Sequence, residues 1–414
     1  MNEAKQKLRL TGLERAWILY DVGNSAFVLL VATLIPIFFN ALAEGGGLSS
    51  VEYLAYWGYA ASAVTVITAV LSPILGTLAD TRNFKKPIFT FCVAVGVIGC
   101  CAMGMASTWL PFLLIFIFAK VGFSGSLVFY DSMLSDVTVP DRMDEVSSKG
   151  YAWGYIGSCV PFVVCLALVL GAGSIGISQM TALNLALFIT AVWWLVTPLP
   201  LLRQYKQVHF VEVQEHAIRQ SFARIGHTLR HLKEDRQVFW FLMAFFCYID
   251  GVYTIIDMAT AYGTALGLDT TGLLLALLVT QIVAFPSALV FGRLSGQYPS
   301  GTLIPVCIAA YAGIALFAFF LKHQWQFWVL AVVVGMFQGG IQALSRSHFA
   351  KIIPPEKSGE YFGLFDICGK GASFLGTMIV SVGSQLTGSA NVGVGSLIVL
   401  FVVGFVLFRV SDQK

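Results

Sequence analysis

The sequence predicts an all-α membrane protein of twelve transmembrane helices, arranged as two pseudo-symmetric halves of six. Three observations predict it. Only 11% of the 414 residues are charged while 57% are hydrophobic, against roughly 25% charged in a soluble domain. The apolar runs reach about 20 residues, the length that crosses a bilayer as a helix. The second half of the chain also repeats the plan of the first.

Backbone groups find no water partners in lipid, so a span is a helix or part of a closed barrel. The runs here are too long for barrel strands and do not alternate. They predict helices over 15–42, 53–79, 88–107, 110–136, 148–171, 178–202, 237–265, 270–297, 301–321, 325–352, 359–387 and 390–410. The first follows a basic start (Lys5, Lys7, Arg9, Arg15), and Ala41-Leu42-Ala43 looks like a cleavage site. The apolar run from Ile18 to Leu42 is nevertheless far longer than the ~7–15 residues of a signal-peptide core, so it is expected to be a span. The one long polar connection, 203–236, separates an N-terminal half (1–202) from a C-terminal half (237–414). It carries Ile218, Phe222, Ile225, Leu229 and Leu232 at helical spacing, which suits an amphipathic helix on a membrane surface.

Basic residues orient the bundle, because cytoplasmic loops hold the excess of Lys and Arg. With the N-terminus inside, 22 of the 25 fall in inner segments; Lys322 lies outside, and Lys120 and Lys370 lie within helices. Both termini are then cytoplasmic, as expected in a bacterial inner membrane. Trp17 on the inner side and Tyr56, Trp57, Trp109, Trp325 and Trp328 on the outer side fall where interfacial aromatic anchors belong.

A shift of 215 residues brings the halves into register. Gly125 meets Gly340 and Gly154 meets Gly369, while Pro140, Asp141, Arg142 and Glu145 meet Pro355, Glu356, Lys357 and Glu360. Two six-helix halves on one local plan mark transporters that rock one half against the other.

Between the second and third helices stands SPILGTLADTRNFKKP (72–87). It resembles the loop signature G-x-x-x-D-[RK]-x-G-[RK]-[RK] of the major facilitator superfamily, with Thr81 in place of the first base and Asn83 in place of the glycine. The resemblance implies a charge lock on the outward-facing state, carried by Asp80, Arg82, Lys85 and Lys86. The second-half counterpart, GRLSG (292–296), has Gly296 where the acid would stand, so no equal lock is expected there. WILYDVGNSAF (17–27), YDSMLSDVTVPDRMDEVSSKGYAWGYIG (130–157) and GGIQALSRSHFAKIIPPEKSGEYFGLFDICGKGASFLG (339–376) resemble the vacuole-effluxer branch of that superfamily, which includes vacuolar amino-acid exporters of fungi and bacterial relatives. This implies a twelve-helix facilitator fold, a cavity lined by the first, fourth, seventh and tenth helices, and amino acids as substrate.

Ionisable groups inside a membrane mark function by default. Lys120 and Lys370 lie near mid-depth, as does Asp250, with Asp257 seven residues further along the same helical face. Opposite charges at one depth suit a zwitterion: Lys120 or Lys370 for a carboxylate, Asp250 or Asp257 for an ammonium. Tyr130, Tyr248, Tyr253, Gln338 and Gln342 are expected to add hydrogen bonds. A carboxylate in an apolar setting is also the group that takes up a proton, so Asp250 or Asp257 is the expected proton carrier. Asp21, Asn24, Asp131 and Arg346 lie nearer the inner ends, as gating residues. Asp366 stands four residues before Lys370, so a pair on one helix is the alternative to a substrate role for Lys370, and the sequence leaves the two open.

No HExxH, phosphate loop or GxSxG motif is present, and the eight cysteines form no CxxC pair. No enzyme activity, cofactor or metal site is expected. No basic face interleaved with aromatics exists for nucleic acid. The expectation is a monomeric secondary transporter of a small polar solute, with proton coupling as an option. Export of a lipophilic compound or lipid is the alternative, and a receptor or scaffold without transport is a second.

Overall fold

A computed structural model describes residues 9–212, 230, 232–265 and 267–412, without the side chains at 50, 51, 54, 260, 261, 264, 265, 270, 271, 274 and 370–374. The expected linker helix lies outside the described residues apart from Leu232, as does the Lys370 side chain. Twelve long helices carry the fold: α1 Gly12–Ala32, α2 Ser50–Ala79, α3 Lys85–Met103, α4 Trp109–Ser132, α5 Met143–Leu170 and α6 Gln179–Val196 in one half. The other half has α7 Arg236–Ala265, α8 Thr270–Leu294, α9 Ser300–Phe319, α10 Gln324–Ile352, α11 Ser358–Thr387 and α12 Ile398–Asp412. Among the described residues, eleven helical stretches are long and apolar enough to cross a bilayer. The remaining helix, α11, has 30 residues, or about 45 Å of axis.

Sequence explains where the helices start and stop. Thr11 opens α1 with a capping box, bonding the Glu14 amide while Glu14 answers to the Thr11 amide. Ser49 and Glu52 do the same for α2. At Glu52 the bonds from the Ser49 amide and hydroxyl hold the carboxyl below its usual range. The first predicted helix is broken at Thr33 and continues as Leu34–Gly45. Pro36 accounts for the break: it lacks the N–H that would reach back to Ala32, and its ring crowds that carbonyl. Pro198 likewise separates α6 from the short helix Leu199–Gln204.

The internal repeat is visible in the backbone. Pro140–Arg142 and Pro355–Lys357 form matching 3₁₀ turns, one before α5 and one before α11. Both lie at the end of the bundle that bears the basic loops, hereafter the basic end. The lipid-facing surface carries exposed Phe91, Ile98, Phe118 and Val406, as an apolar solvent allows.

Candidate functional site

The halves meet around two levels of charge. The lower level, toward the basic end, centres on Arg346 of α10. Its side chain is 2% exposed. Nη1 donates to Asp131 Oδ1 at 3.0 Å, and Nη1 and Nη2 reach Asp21 Oδ2 at 3.4 Å. Nε donates to Ser147 Oγ at 2.9 Å and Nη2 to the Ser147 carbonyl at 3.0 Å. Trp17, Tyr130 and Tyr151 surround the guanidinium with ring centroids 4.7, 5.4 and 4.3 Å away. One side chain thus ties α10 to α1, α4 and α5 of the other half. A guanidinium suits this place because its planar fork binds two carboxylates and stacks on aromatics at once.

Tyr130 and Trp17 serve this clamp. Tyr130 is wholly buried and donates its hydroxyl to Asp21 Oδ2 at 2.9 Å. Trp17 stacks on it at 4.3 Å and donates Nε1 to its carbonyl at 2.9 Å. Trp17 is therefore no interfacial anchor; it is 0% exposed. Asn24 donates to Asp21 Oδ1 at 3.3 Å and to the Tyr20 carbonyl, which leaves Oδ2 for Tyr130 and Arg346.

Two seams flank the clamp. In the first, α2 meets α11. Asp80 ends α2 and accepts the Gly359 and Glu360 amides at 2.7 and 2.8 Å. A carboxylate at these unpaired first-turn amides completes a helix start and meets its partial positive charge. The helices approach closely because both faces are glycine: a Cβ on Gly76 would lie 2.2 Å from the Gly359 carbonyl oxygen. Lys85, also fully buried, lies 3.9 Å from Asp80 and 3.6 Å from Asp136, and donates to Ser358 Oγ at 2.9 Å. Arg82 differs from the expectation: it is exposed and pairs with Glu212 at 3.4 Å. Lys86 is half-buried and has no ion pair among the described residues. Higher up, Ser72 donates to Asp366 at 2.8 Å.

In the second seam, α5 meets α8 and α10. Gly292 packs where a Cβ would lie 2.8 Å from that of Ser148. Asp144 accepts from Ser347 at 2.6 Å and pairs with Lys351, and Ser147 donates to the Ala343 carbonyl at 2.7 Å. Tyr155 donates to Gln342 Oε1 at 3.0 Å. The hydrogen bonds and ion pairs that join the halves cluster between mid-depth and the basic end, so this end is closed.

The upper level is sparser. Lys120 of α4 lies 4.7 Å from the Phe123 centroid and 6.0 Å from that of Phe27. Across the halves, its charge acts on Asp257 of α7. Asp257 is surface-accessible although many atoms surround it, as a side chain facing an open cleft would be. Tyr253 stands half-buried one turn nearer the basic end, within the fields of Asp131, Asp257, Asp366 and Arg346. Gln338 is 5% exposed, one turn from Gln342.

The other expected residues turn elsewhere. Asp250 is 0% exposed, accepting the Gly376 amide at 2.8 and 2.9 Å and the Thr254 hydroxyl at 3.3 Å. It links α7 to α11 rather than sharing the accessible face of Asp257. Tyr248 is fully buried on Ser345 at 2.7 Å. Sequence reasoning missed Ser147, Tyr151, Tyr155, Asp136, Asp144 and Lys351. Apart from Lys351, their signal was present in the 130–157 block, where a short stretch holds Asp131, Asp136, Asp144 and three tyrosines. Two cavities, of about 90 Å³ among α2, α3 and α4 and about 20 Å³ beside α7, have almost wholly apolar walls and hold none of the charged groups. No cluster of metal-ligating side chains occurs among the described residues.

Known proteins share this architecture. The human organic anion transporter MFSD10 superposes with a TM-score of 0.72 at 14% identity, over 96% of this chain and 98% of that one, which shows the major facilitator fold. The uncharacterized MFS-type transporter YxiO of Bacillus subtilis is 41% identical over 98% of this chain and 96% of its own length. Autophagy-related protein 22 of Coccidioides immitis is 25% identical over 65% of this chain, which spans 51% of that fungal protein. Residues 13–414 match the model of the family described as vacuole effluxer Atg22 like, and the chain belongs to that family, a branch of the major facilitator transporters.

Proposed function

We propose that this transporter moves a small zwitterion of amino-acid type by rocking its halves about the two charged levels. What supports this reading most is that the charge of Lys120 acts on the accessible Asp257 across the halves, above a closed floor. A substrate carboxylate would replace Asp257 at Lys120, and its ammonium would replace Lys120 at Asp257. Tyr253 would bond the substrate from below, with Gln338 and Gln342 on the α10 side. Support for transport itself also comes from the family description, vacuole effluxer Atg22 like.

Asp257 is the proton carrier in this reading, because it alone of the two helix-7 carboxylates is accessible. Asp250, held by Gly376, keeps α11 against α7. The basic end faces the cytoplasm, as the Lys and Arg distribution supports, so the closed floor belongs to an outward-facing state. The protein works as a monomer in a bacterial inner membrane, with 1–202 and 237–414 as its moving halves and 203–236 as the tether.

Counterflow in proteoliposomes tests this. Vesicles loaded with unlabelled amino acids should take up labelled leucine, tyrosine or lysine. Asp257→Asn and Lys120→Met should each lower uptake at least tenfold, the effect of about 1.4 kcal/mol. Uptake by folded protein that ignores the internal load would sink the zwitterion reading. Load-dependent exchange of a lipophilic compound instead would favour the alternative.

A further inference from the structure

Two facing stripes run from the Arg346 clamp toward the upper level. On α5, Ser147, Tyr151 and Tyr155 stand four residues apart and share one face. On α10, Arg346, Gln342 and Gln338 do the same, and both stripes run away from the basic end. Arg346 Nε donates to Ser147 at 2.9 Å, and the Tyr151 centroid lies 4.3 Å from the guanidinium. The Tyr151 and Tyr155 centroids are 6.0 Å apart. Tyr155 completes the series by donating to Gln342 Oε1 at 3.0 Å. Its ring lies over Gly339, where a Cβ would come within 3.2 Å of Cε2, so glycine gives the ring its place on α10.

One hydroxyl sets two amides here. Tyr155 also hydrogen-bonds the Gln338 side chain. Gln338 Oε1 is buried and has no hydrogen-bond partner among the described residues, so the amide nitrogen is the end that meets Tyr155. A hydroxyl donates one bond and accepts others; this one accepts from Gln338 and donates to Gln342. What α10 then offers a ligand is the opposite end of each amide, an acceptor on Gln338 and a donor on Gln342. A buried acceptor with no donor is costly, and a ligand N–H removes that cost. The two glutamines are also one helical turn apart, so once released from Tyr155 they can pair with each other. Gln342 Nε2 would then donate to Gln338 Oε1, and both free ends would be consumed. Tyr155 belongs to the first half and both glutamines to the second, so parting the halves at the basic end withdraws the hydroxyl.

We propose that Tyr155 is a positioning residue that keeps the Gln338 and Gln342 amides apart and available to substrate while the basic end is closed, and that its withdrawal lets them pair and weakens the site. The substrate ammonium takes Gln338 Oε1 beside Asp257, and the carboxylate takes Gln342 Nε2 beside Lys120. Substrate is therefore held more tightly with the basic end closed than with it open. The inference rests on the zwitterion reading above, and the test separates the two.

Binding of labelled leucine, tyrosine and lysine is measured on the full chain in lipid nanodiscs. Tyr155→Phe keeps the ring over Gly339 and removes only the hydroxyl. It should raise Kd at least about fivefold, the loss of one hydrogen bond's worth of fixation. The same substitution is then made in Asp80→Ala, which opens the basic end from the other seam, away from α5 and α10. There it should raise Kd by at most about twofold, because the hydroxyl has already been withdrawn. Nitroxides at Asp141→Cys and Glu356→Cys, exposed positions in the matching turns, report the opening in protein lacking the partly exposed Cys101, Cys247 and Cys368. An equal rise in both backgrounds would make Tyr155 a plain structural contact and overturn the coupling, as would no rise in the parent. A smaller rise in Asp80→Ala whose labels stay close would overturn it too, since the effect would not follow opening. A folded parent that binds none of the three amino acids would sink the zwitterion reading, and this inference with it.

Discussion

The two seams at the basic end are related by the internal repeat, yet they are built on different chemistry. In the first, an acid at the end of α2 caps the start of α11, over a glycine-to-glycine contact. In the second, the end of α8 offers Gly296 where that acid would stand. The acids there belong to α5 itself: Asp144 and Glu145 sit in its first turn, where they favour their own helix start. Asp144 then reaches to Ser347 and Lys351 of α10. The first seam is therefore directional and backbone-mediated, and the second is carried by side chains. A duplicated frame has kept its turns and exchanged its fastening.

Arg346 lies beside the second seam, and its removal should give the largest effect. Arg346→Ala leaves Asp21 and Asp131 buried without their cation. Breaking a buried pair on one side costs about 3–5 kcal/mol, here charged to the closed state. The open population at the basic end should then dominate in a distance measurement between spin labels at Asp141→Cys and Glu356→Cys, in the two matching turns. Arg346→Lys should restore only part of the closure, since an ammonium lacks the fork that reaches Ser147 and both carboxylates. Full closure with lysine would show that only charge matters there.

Asp80→Ala should come next. It removes a carboxylate from two backbone amides, and charged hydrogen bonds contribute about 1.5–3 kcal/mol each before relaxation. Gly76→Ala should match it by another route, forcing α2 and α11 apart at about 1–3 kcal/mol for overpacking. Both variants should open the basic end by label distance and leave thermal unfolding of the separate halves little changed. If Gly76→Ala were silent, the close contact would not be holding the seam.

Lys351→Met should weaken the second seam by about 1 kcal/mol or less, because its partly exposed pair is screened by solvent. Gly296→Asp should have the smallest effect. Adding the missing acid places it near Asp144 and Glu145, so no closure should be gained. A gain equal to the loss in Asp80→Ala would mean that the seams are equivalent after all.

The fold was readable because its determinants are local. Span lengths, basic loops and the 215-residue repeat each depend on neighbours in sequence, and they place most of the helices within a few residues; the twelfth, expected from 390, is split into Ala390–Gly395 and Ile398–Asp412. That Asp80 would meet another helix was suggested by its spacing to Gly76, but which of the following bases would join it was not. Arg82 and Lys85 are three residues apart on a turn, and the turn alone decides that Lys85 points inward. Depth along a helix was legible as well, whereas azimuth was not. Asp250 and Asp257 are seven residues apart, which places them on one face of an ideal helix. The Gly376 contact still claims the first, while the second stays accessible. Trp17 shows the same limit: a tryptophan near a helix end reads as an anchor until the Arg346 guanidinium arrives from residues far away in sequence.

The break at Thr33 has a mechanical consequence. A continuous helix resists bending because each turn is braced by its own amides. At Pro36 that brace is already missing, so pivoting Leu34–Gly45 sacrifices little further backbone pairing. With the lower part of α1 held through Asp21, bending at this break would turn Leu34–Gly45 without straining the Arg346 clamp, so the far end of this half could move while its basic end stays fastened.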